Sequence, residues 1–278
     1  MNDIRSGFAD INGASLYYEI AGAGQPFVML HGHLVDSRQW DDPFAAFSAT
    51  HTVVRYDGRG MGQSSFPAAP FSHAADLHAL LAFLQIDHAV LMGCSGGGGA
   101  CIDFALLHPE RVDALILVGS GLDGYRPGEH GPMPPVMVAY VEAMQRGDTE
   151  QAIDLSLSIF TDGPRRQPGQ VNPAAREKTR AMSAPLFARS IPPEAVPQGL
   201  TPPAIERLGE IHAPTLLITG AEDAAMIHDI AAILVAQIPG ARAVVIPDAG
   251  HHPNLEHPQQ FNEIVAEFLS EVGLHNTR

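Results

Sequence analysis

The segment from Val90 to Ala100 reads VLMGCSGGGGA, and it constrains the fold of this chain more than any other stretch. Its first residues are apolar throughout, which is typical of a buried strand. Gly93, Ser95 and Gly97 fit the G-x-S-x-G pattern of a strand that turns directly into a helix. Such a turn strains the backbone of its central residue and pushes that side chain outward. Ser95 is therefore predicted to be a nucleophile at the tip of a strand.

The residues around this turn support the prediction. His88 to Cys94 reads as a buried strand, and Gly99 to His108 reads as a helix that Pro109 ends. The pattern alone is weak, because five-residue matches occur by chance in a glycine-rich chain. A turn that needs its glycines only for close packing is the alternative interpretation.

Composition restricts the partners that this chain can have. Its 278 residues are 45% hydrophobic and 17% charged, which is enough apolar material for one large α/β domain. The net charge of −15 repels phosphate backbones, so we expect a small-molecule substrate and no nucleic acid. No apolar run approaches the roughly 18 residues that a membrane span needs, so no membrane partner is expected.

Location and association are also expectations at this stage. The N-terminal residues lack a basic region followed by an apolar stretch, which predicts a cytoplasmic protein. The two cysteines, Cys94 and Cys101, are interpreted as buried free thiols rather than a disulfide. Association into a homo-oligomer is compatible with this sequence.

Strand-like and helix-like segments alternate along most of the chain. Asn12-Gly13 between two strand-like runs predicts an antiparallel hairpin at the start. Short apolar strands are predicted at 27–30, 52–56, 88–94, 114–118, 215–219 and 243–246, and helices at 71–85, 99–108, 227–238 and 258–272. Apolar strands that alternate with helices indicate an α/β fold, with a mostly parallel sheet and helices on both faces.

The alternation stops between residues 122 and 213. More than half of the chain's 23 prolines lie in or beside this stretch, and its apolar patterns are helical, at 136–145, 149–159 and 174–182. The sequence therefore predicts an α/β core made of residues 1–121 and 214–278, with residues 122–213 inserted as a helical cap. Methionine-bearing helix faces suit an adaptable pocket wall, although ordinary packing on the core is the alternative.

Three residues that could act as nucleophile, acid and base follow predicted strands in the order Ser95, Asp223, His251. A serine hydroxyl is a poor nucleophile at neutral pH unless a base can take its proton and an acid orients that base. Because the carboxyl ends of parallel strands form one edge of a sheet, the three side chains are expected to meet there. Ser95, Asp223 and His251 are the predicted catalytic residues.

The chain resembles the α/β-hydrolase superfamily over nearly its whole length. HGHLVDSRQW at 31–40 resembles the oxyanion loop of that superfamily, and DGRGMGQS at 57–64 is similar to its D-x-R-G-x-G-x-S loop. Gly250-His251 with LEHP at 255–258 resembles its closing histidine segment. The nearest likeness is to esterases and lactonases of the enol-lactonase and cofactor-free haloperoxidase type. Within the loop at 57–64, Asp57 and Arg59 could pair, and the loop is interpreted as structural.

The resemblance implies a role for each residue. Ser95 would attack a carbonyl, His251 would take its proton, and Asp223 would hold the imidazolium. The N–H groups of His33 and Gly96 would form the oxyanion hole. No cofactor and no metal are expected.

Alternatives remain at two of these positions. His252 competes with His251 as the base, and Glu222 and Asp123 compete with Asp223 as the acid. Candidate substrate contacts are Gly32, Trp40, Met137 and Phe160, although Trp40 could equally be a core aromatic.

The sequence therefore predicts hydrolysis of a small carboxylic ester or lactone through an acyl-serine. The same three residues could instead serve C–C bond hydrolysis or perhydrolysis. A binding protein that kept the fold and lost turnover is a further alternative.

Overall fold

One eight-stranded sheet runs through the described part of the chain, residues 3–126 and 134–274 of a computed structural model. The strands are β1 Arg5–Ile11, β2 Ala14–Ala21, β3 Pro26–Leu30, β4 Thr52–Tyr56, β5 Ala89–Cys94, β6 Val112–Val118, β7 Thr215–Gly220 and β8 Arg242–Ile246. Their spatial order is β1-β2-β4-β3-β5-β6-β7-β8, and all pairs from β4 to β8 are parallel. The predicted mostly parallel sheet is confirmed.

The antiparallel start of the sheet follows from its turn. Asn12 and Gly13 both have positive φ, at 47° and 74°, which the tight hairpin between β1 and β2 requires. β2 then pairs antiparallel with β4, so the hairpin lies at one edge of the sheet.

Helices cover both faces of the sheet. The helices of the described ranges, including those of the insertion between β6 and β7, are α1 Asp41–Phe47, α2 His73–Phe83, α3 Gly96–Leu107, α4 Pro135–Arg146, α5 Thr149–Leu157, α6 Pro173–Phe187, α7 Ala225–Gln237, α8 Pro253–Glu256 and α9 Pro258–Glu271. One core cluster joins the sheet to α2, α3 and α7, and a second joins it to α1 and α9. Burial on both faces explains why the central strands β3 and β5 are apolar along their length.

The insertion between β6 and β7 carries α4, α5 and α6, so the three predicted helices are present. A single π-helical turn, Ser158–Asp162, continues α5. After α6 the chain returns to β7 largely through loops and short 3₁₀ turns. We call residues 122–213 the cap segment; its residues 127–133 lie outside the described part of the chain.

Among the helices in the described ranges, none has both the length and the apolar composition that crossing a membrane would require. Both cysteines are buried and free, as predicted.

Candidate active site

The turn from β5 into α3 has the strained geometry that its sequence predicts. Ser95 has φ 52° and ψ −118°, which is unusual for a residue other than glycine. A Cβ on Gly93 would lie 2.4 Å from the carbonyl oxygen of Gly97, and a Cβ on Gly97 would lie 2.5 Å from that of His31. Because these approaches leave no room for a side chain, the turn needs glycine on both sides of Ser95.

The helix after Ser95 begins at Gly96, three residues before the predicted start at Gly99. Glycine is a poor helix former, which led the prediction to delay the start. Close packing overrides that propensity here, since a Cβ on Gly98 would lie 2.4 Å from the hydroxyl of Ser120. The consequence is that the first N–H groups of α3 lie directly beside Ser95.

His251 and Asp223 are brought together at the same edge of the sheet. His251 Nδ1 lies 2.8 Å from Asp223 Oδ2, and both side chains are almost fully buried. A carboxylate only accepts hydrogen bonds, so Nδ1 carries the proton and Nε2 keeps a lone pair. Burial lowers the pKa of His251, but the charge and hydrogen bond of Asp223 outweigh burial and raise that pKa above its ordinary value.

The two alternative acids have other partners. The carboxylate of Asp123 accepts a hydrogen bond from the Leu200 backbone at 3.0 Å, and Glu222 forms an ion pair with Arg165 at 2.9 Å. Asp223 is thus the candidate acid whose carboxylate contacts His251.

His252, the alternative base, lies beside His251 with ring centroids 5.2 Å apart. Within the described residues, neither of its ring nitrogens has a hydrogen-bond partner. Burial, together with the neighbouring His251, lowers its pKa well below the usual value.

Burial also raises the pKa of Cys94 to about 12, so the thiol next to Ser95 is not an ionised nucleophile at neutral pH.

The loop after β3 lies against Ser95. A Cβ on Gly32 would lie 3.4 Å from the Cβ of Ser95, so this glycine leaves space beside the serine. Gly32 N–H donates to Gln39 Oε1 at 2.9 Å, and its carbonyl accepts from His31 Nδ1. Gly32 therefore has no N–H to offer a substrate, which leaves the N–H groups of His33 and Gly96 as the candidate oxyanion donors.

The other predicted substrate contacts differ in position. The ring of Phe160, on the π-helical turn of the cap segment, lies 5.8 Å from the ring of His251. Met137 is half-buried on α4. The prediction that Trp40 contacts substrate is wrong. Its side chain is fully buried in the core and packs against Phe261 of α9, so it has no surface to offer a substrate.

Two ion pairs near the site were missed from the sequence. Arg166 of the cap segment pairs with Glu256 at 2.8 Å, and Glu256 Oε1 accepts from the Gly250 backbone, next to His251. Arg59 pairs with Asp76 of α2 rather than with Asp57. Residues far apart in the chain form both pairs, so no local pattern could have indicated them.

Comparison with known proteins identifies the family of the chain. The family model described as the alpha/beta hydrolase family matches residues 27–264, and the chain belongs to that family. It is 31% identical over 268 residues to a 2-hydroxy-6-oxononadienedioate/2-hydroxy-6-oxononatrienedioate hydrolase of Burkholderia vietnamiensis, across 91% of this chain and 90% of that protein. It is 28% identical to a pimeloyl-[acyl-carrier protein] methyl ester esterase of Yersinia enterocolitica, across 92% of this chain and 98% of that protein.

A solved structure is similar as well. Est816, titled as an N-acyl homoserine lactone degrading enzyme, matches with a TM-score of 0.75 and 28% identity, over 94% of this chain and 100% of that one. The predicted resemblance to the esterase and lactonase branch is confirmed, and hydrolysis is the reaction class that these relatives share.

Proposed function

We propose that this protein hydrolyses a small carboxylic ester or lactone through an acyl-serine intermediate. One observation carries the proposal: the buried His251–Asp223 pair lies at the same sheet edge as a strained serine at the start of a helix. A helix N-terminus stabilises negative charge, and an imidazole whose Nε2 is free can accept the serine proton.

In the first step, His251 Nε2 removes the Ser95 proton while Oγ bonds to the substrate carbonyl carbon. The carbonyl π electrons move to oxygen, where the N–H groups of His33 and Gly96 hold the negative charge. Removing one such donor costs about 3–4 kcal/mol of transition-state stabilisation in related chemistry. Asp223 keeps the resulting imidazolium paired.

The intermediate then collapses by breaking the bond to the leaving oxygen, which takes the proton from His251 Nε2. A lactone would keep that oxygen within the same molecule. Water repeats the sequence on the acyl-serine, with His251 again as the base, and releases the acid and free Ser95.

A fluorophosphonate probe tests the nucleophile. We expect it to label Ser95 and no other serine, and Ser95→Ala to lose both labelling and ester turnover. Ser120→Ala is the matched control, because Ser120 is a buried hydroxyl next to the site that donates to the Gly121 carbonyl. Labelling of another serine, or full activity in Ser95→Ala, would contradict the proposal.

The cap segment is proposed to form a wall of the substrate site. The contact between the rings of Phe160 and His251 supports this. Phe160→Ala should change the preference among acyl lengths several-fold. Phe187→Ala is the matched control, since Phe187 is a half-buried aromatic of the same segment that packs on Tyr140. Equal effects of both substitutions on preference would mean that Phe160 acts only through packing.

A second candidate reaction is C–C bond hydrolysis of a keto acid, and the name of the Burkholderia relative favours it. Perhydrolysis with the same three residues and a non-catalytic binding role are further alternatives. A screen of esters, lactones and diketones against wild type and Ser95→Ala separates these reactions.

A further inference from the structure

A cavity of about 310 Å³ lies next to the candidate active site. It reaches Gly96 and Gly97 at the start of α3, and His33 forms part of its wall. The ring of His33 lies close over Gly96, since a Cβ on Gly96 would be 2.5 Å from His33 Nε2. The cavity therefore opens from the same residues that are proposed to hold the carbonyl oxygen.

The wall of the cavity is mostly apolar. Side chains from the loop after β4, from α2 and its approach, and from the cap segment contribute to it; they include Met61, Phe66, Phe71, Ile191 and Pro197. A surface of this kind favours an apolar or weakly polar group over an ion.

Two imidazole rings interrupt this apolar wall. His33 and His73 line the cavity with ring centroids 6.0 Å apart. Within the described residues, no hydrogen bond engages either ring. The His33 side chain is exposed and His73 is half-buried, yet partial desolvation, reinforced in each case by a neighbouring histidine, lowers the pKa of both, in His73 to about 4. At neutral pH both rings are uncharged, and each offers one donor and one acceptor nitrogen.

His31, the third imidazole on the wall, is already satisfied. Its Nδ1 donates to the Gly32 carbonyl at 2.7 Å, and its Nε2 accepts from the Gly58 backbone at 2.9 Å. His31 therefore has no free nitrogen for a ligand.

Arg59 is the one arginine or lysine among the described residues that line the cavity. Its guanidinium is buried and donates twice to Asp76, at 2.5 and 2.8 Å, and once to the Asn12 carbonyl. Arg189, near the same loop, donates to the carbonyls of Gly60 and Gly62. No uncommitted cation thus lines the described cavity to balance a carboxylate.

From these observations we infer that the cavity holds the acyl part of an uncharged substrate, whose neutral polar group hydrogen-bonds to His33 or His73. This inference rests on the proposed function and adds a substrate class to it. Ketone, ether, hydroxyl and amide groups fit the two neutral rings. A second carboxylate on the substrate would have to give up its hydration with no cation to receive it.

Three esters of matched shape test the inference. They are the 4-nitrophenyl esters of 5-oxohexanoic acid, 5-methylhexanoic acid and glutaric acid as the half-ester, so the acyl tail ends in a methyl ketone, an isopropyl group or a carboxylate. Their kcat/KM is measured on wild type. The Kd of the corresponding 4-nitroanilides is measured on Ser95→Ala, which keeps the cavity and needs no turnover.

We expect the ketone to be preferred over the isopropyl tail by about 2- to 10-fold, as for one neutral hydrogen bond. The carboxylate should be worse than the ketone by on the order of 100-fold. Both preferences should occur in kcat/KM and in Kd.

Variants of His73 identify the ring responsible. His73→Phe should reduce the ratio of kcat/KM for the ketone to kcat/KM for the isopropyl tail to about 1 if His73 is the partner, and a retained ratio would assign the hydrogen bond to His33. His73→Gln, which keeps a donor and an acceptor, should retain the ketone preference, and His73→Arg should improve the carboxylate tail at least about 10-fold. His78→Phe is the matched control, because His78 packs on His108 outside the cavity wall.

The outcomes separate this inference from the proposed function. If all three esters are turned over and the carboxylate tail is as good as or better than the ketone tail, the inference is overturned and the proposed ester hydrolysis stands. Equal Kd values for the three anilides on Ser95→Ala would also overturn it. An anilide preference for the ketone without ester turnover by wild type would support the inference and reject the function.

Discussion

The loops after β6 and β7 leave the same edge of the sheet, but their aspartates make different contacts. Each leaves the carboxyl end of a parallel strand and carries an aspartate, Asp123 in one and Asp223 in the other. Asp223 contacts the imidazole of His251. Asp123 instead accepts from the Leu200 backbone and lies near another carboxyl group, that of Asp103.

The difference arises from the space at the end of β6. A Cβ on Gly119 would lie 3.0 Å from His251 Nδ1 and 3.2 Å from Asp223 Oδ2. The loop after β6 thus makes room for the histidine–aspartate pair and then turns into the cap segment. A shared place at the sheet edge brings both carboxylates near the site, but the path of each loop decides which one meets the histidine.

Neutralising the two aspartates one at a time should give the largest difference between the two loops. Asp223→Asn should reduce kcat by about 10³- to 10⁴-fold, because His251 loses its tautomer and counter-charge. Asp123→Asn keeps an acceptor for Leu200 and should stay within a few-fold of wild type. Steady-state turnover of the best ester measures both, and a reversed order would assign the acid to the loop after β6.

The pH dependence of activity should also distinguish the two aspartates. Since the free base is neutral His251 and Asp223 raises its pKa, kcat/KM should rise with pH through a midpoint above the ordinary value of about 6.5. In Asp223→Asn, burial acts without that carboxylate, so the midpoint of the residual activity should fall by at least about one pH unit.

Asp123→Asn serves as the control for this profile and should leave the midpoint unchanged. A profile that is flat between pH 5 and 8 in wild type, with chemistry rate-limiting, would rule out His251 as the base.

The smallest expected effect concerns the like-charged neighbour of Asp123. Burial, and then the charge of Asp123, raise the pKa of Asp103 to about 7. Because the folded pKa lies above the unfolded one, ionised Asp103 destabilises the fold, with little cost near pH 4 and the full cost above pH 7. Asp103→Asn should therefore stabilise the protein by about 1–3 kcal/mol at pH 8 and less at pH 4.

Thermal denaturation at the two pH values measures this gain, at roughly 2–4 °C per kcal/mol for a chain of this size. Glu267→Gln, an exposed carboxyl on α9, is the control and should show no such gain. An equal gain at both pH values would mean that Asp103 is not held above its unfolded pKa.

Local patterns were sufficient for much of the architecture. The hairpin at Asn12-Gly13, the parallel strands, the turn at Ser95 and the three helices of the cap segment were predicted from residues close together in the chain. Glycine and proline restrict the backbone, and apolar periodicity decides which face is buried, so these signals need no distant partner. Ser95, Asp223 and His251 indicated the candidate site because each follows a predicted strand, and the carboxyl ends of parallel strands share one edge of the sheet.

The tertiary structure decided the features that depend on which distant residues meet. It paired Arg59 with Asp76 across 17 positions, placed Trp40 against Phe261 in the core, and started α3 at Gly96 despite four successive glycines. It also directed Asp223 rather than Asp123 to His251, and it brought His33 and His73 into one apolar cavity. Each outcome depends on packing geometry and on competition among partners, and a one-dimensional pattern carries neither.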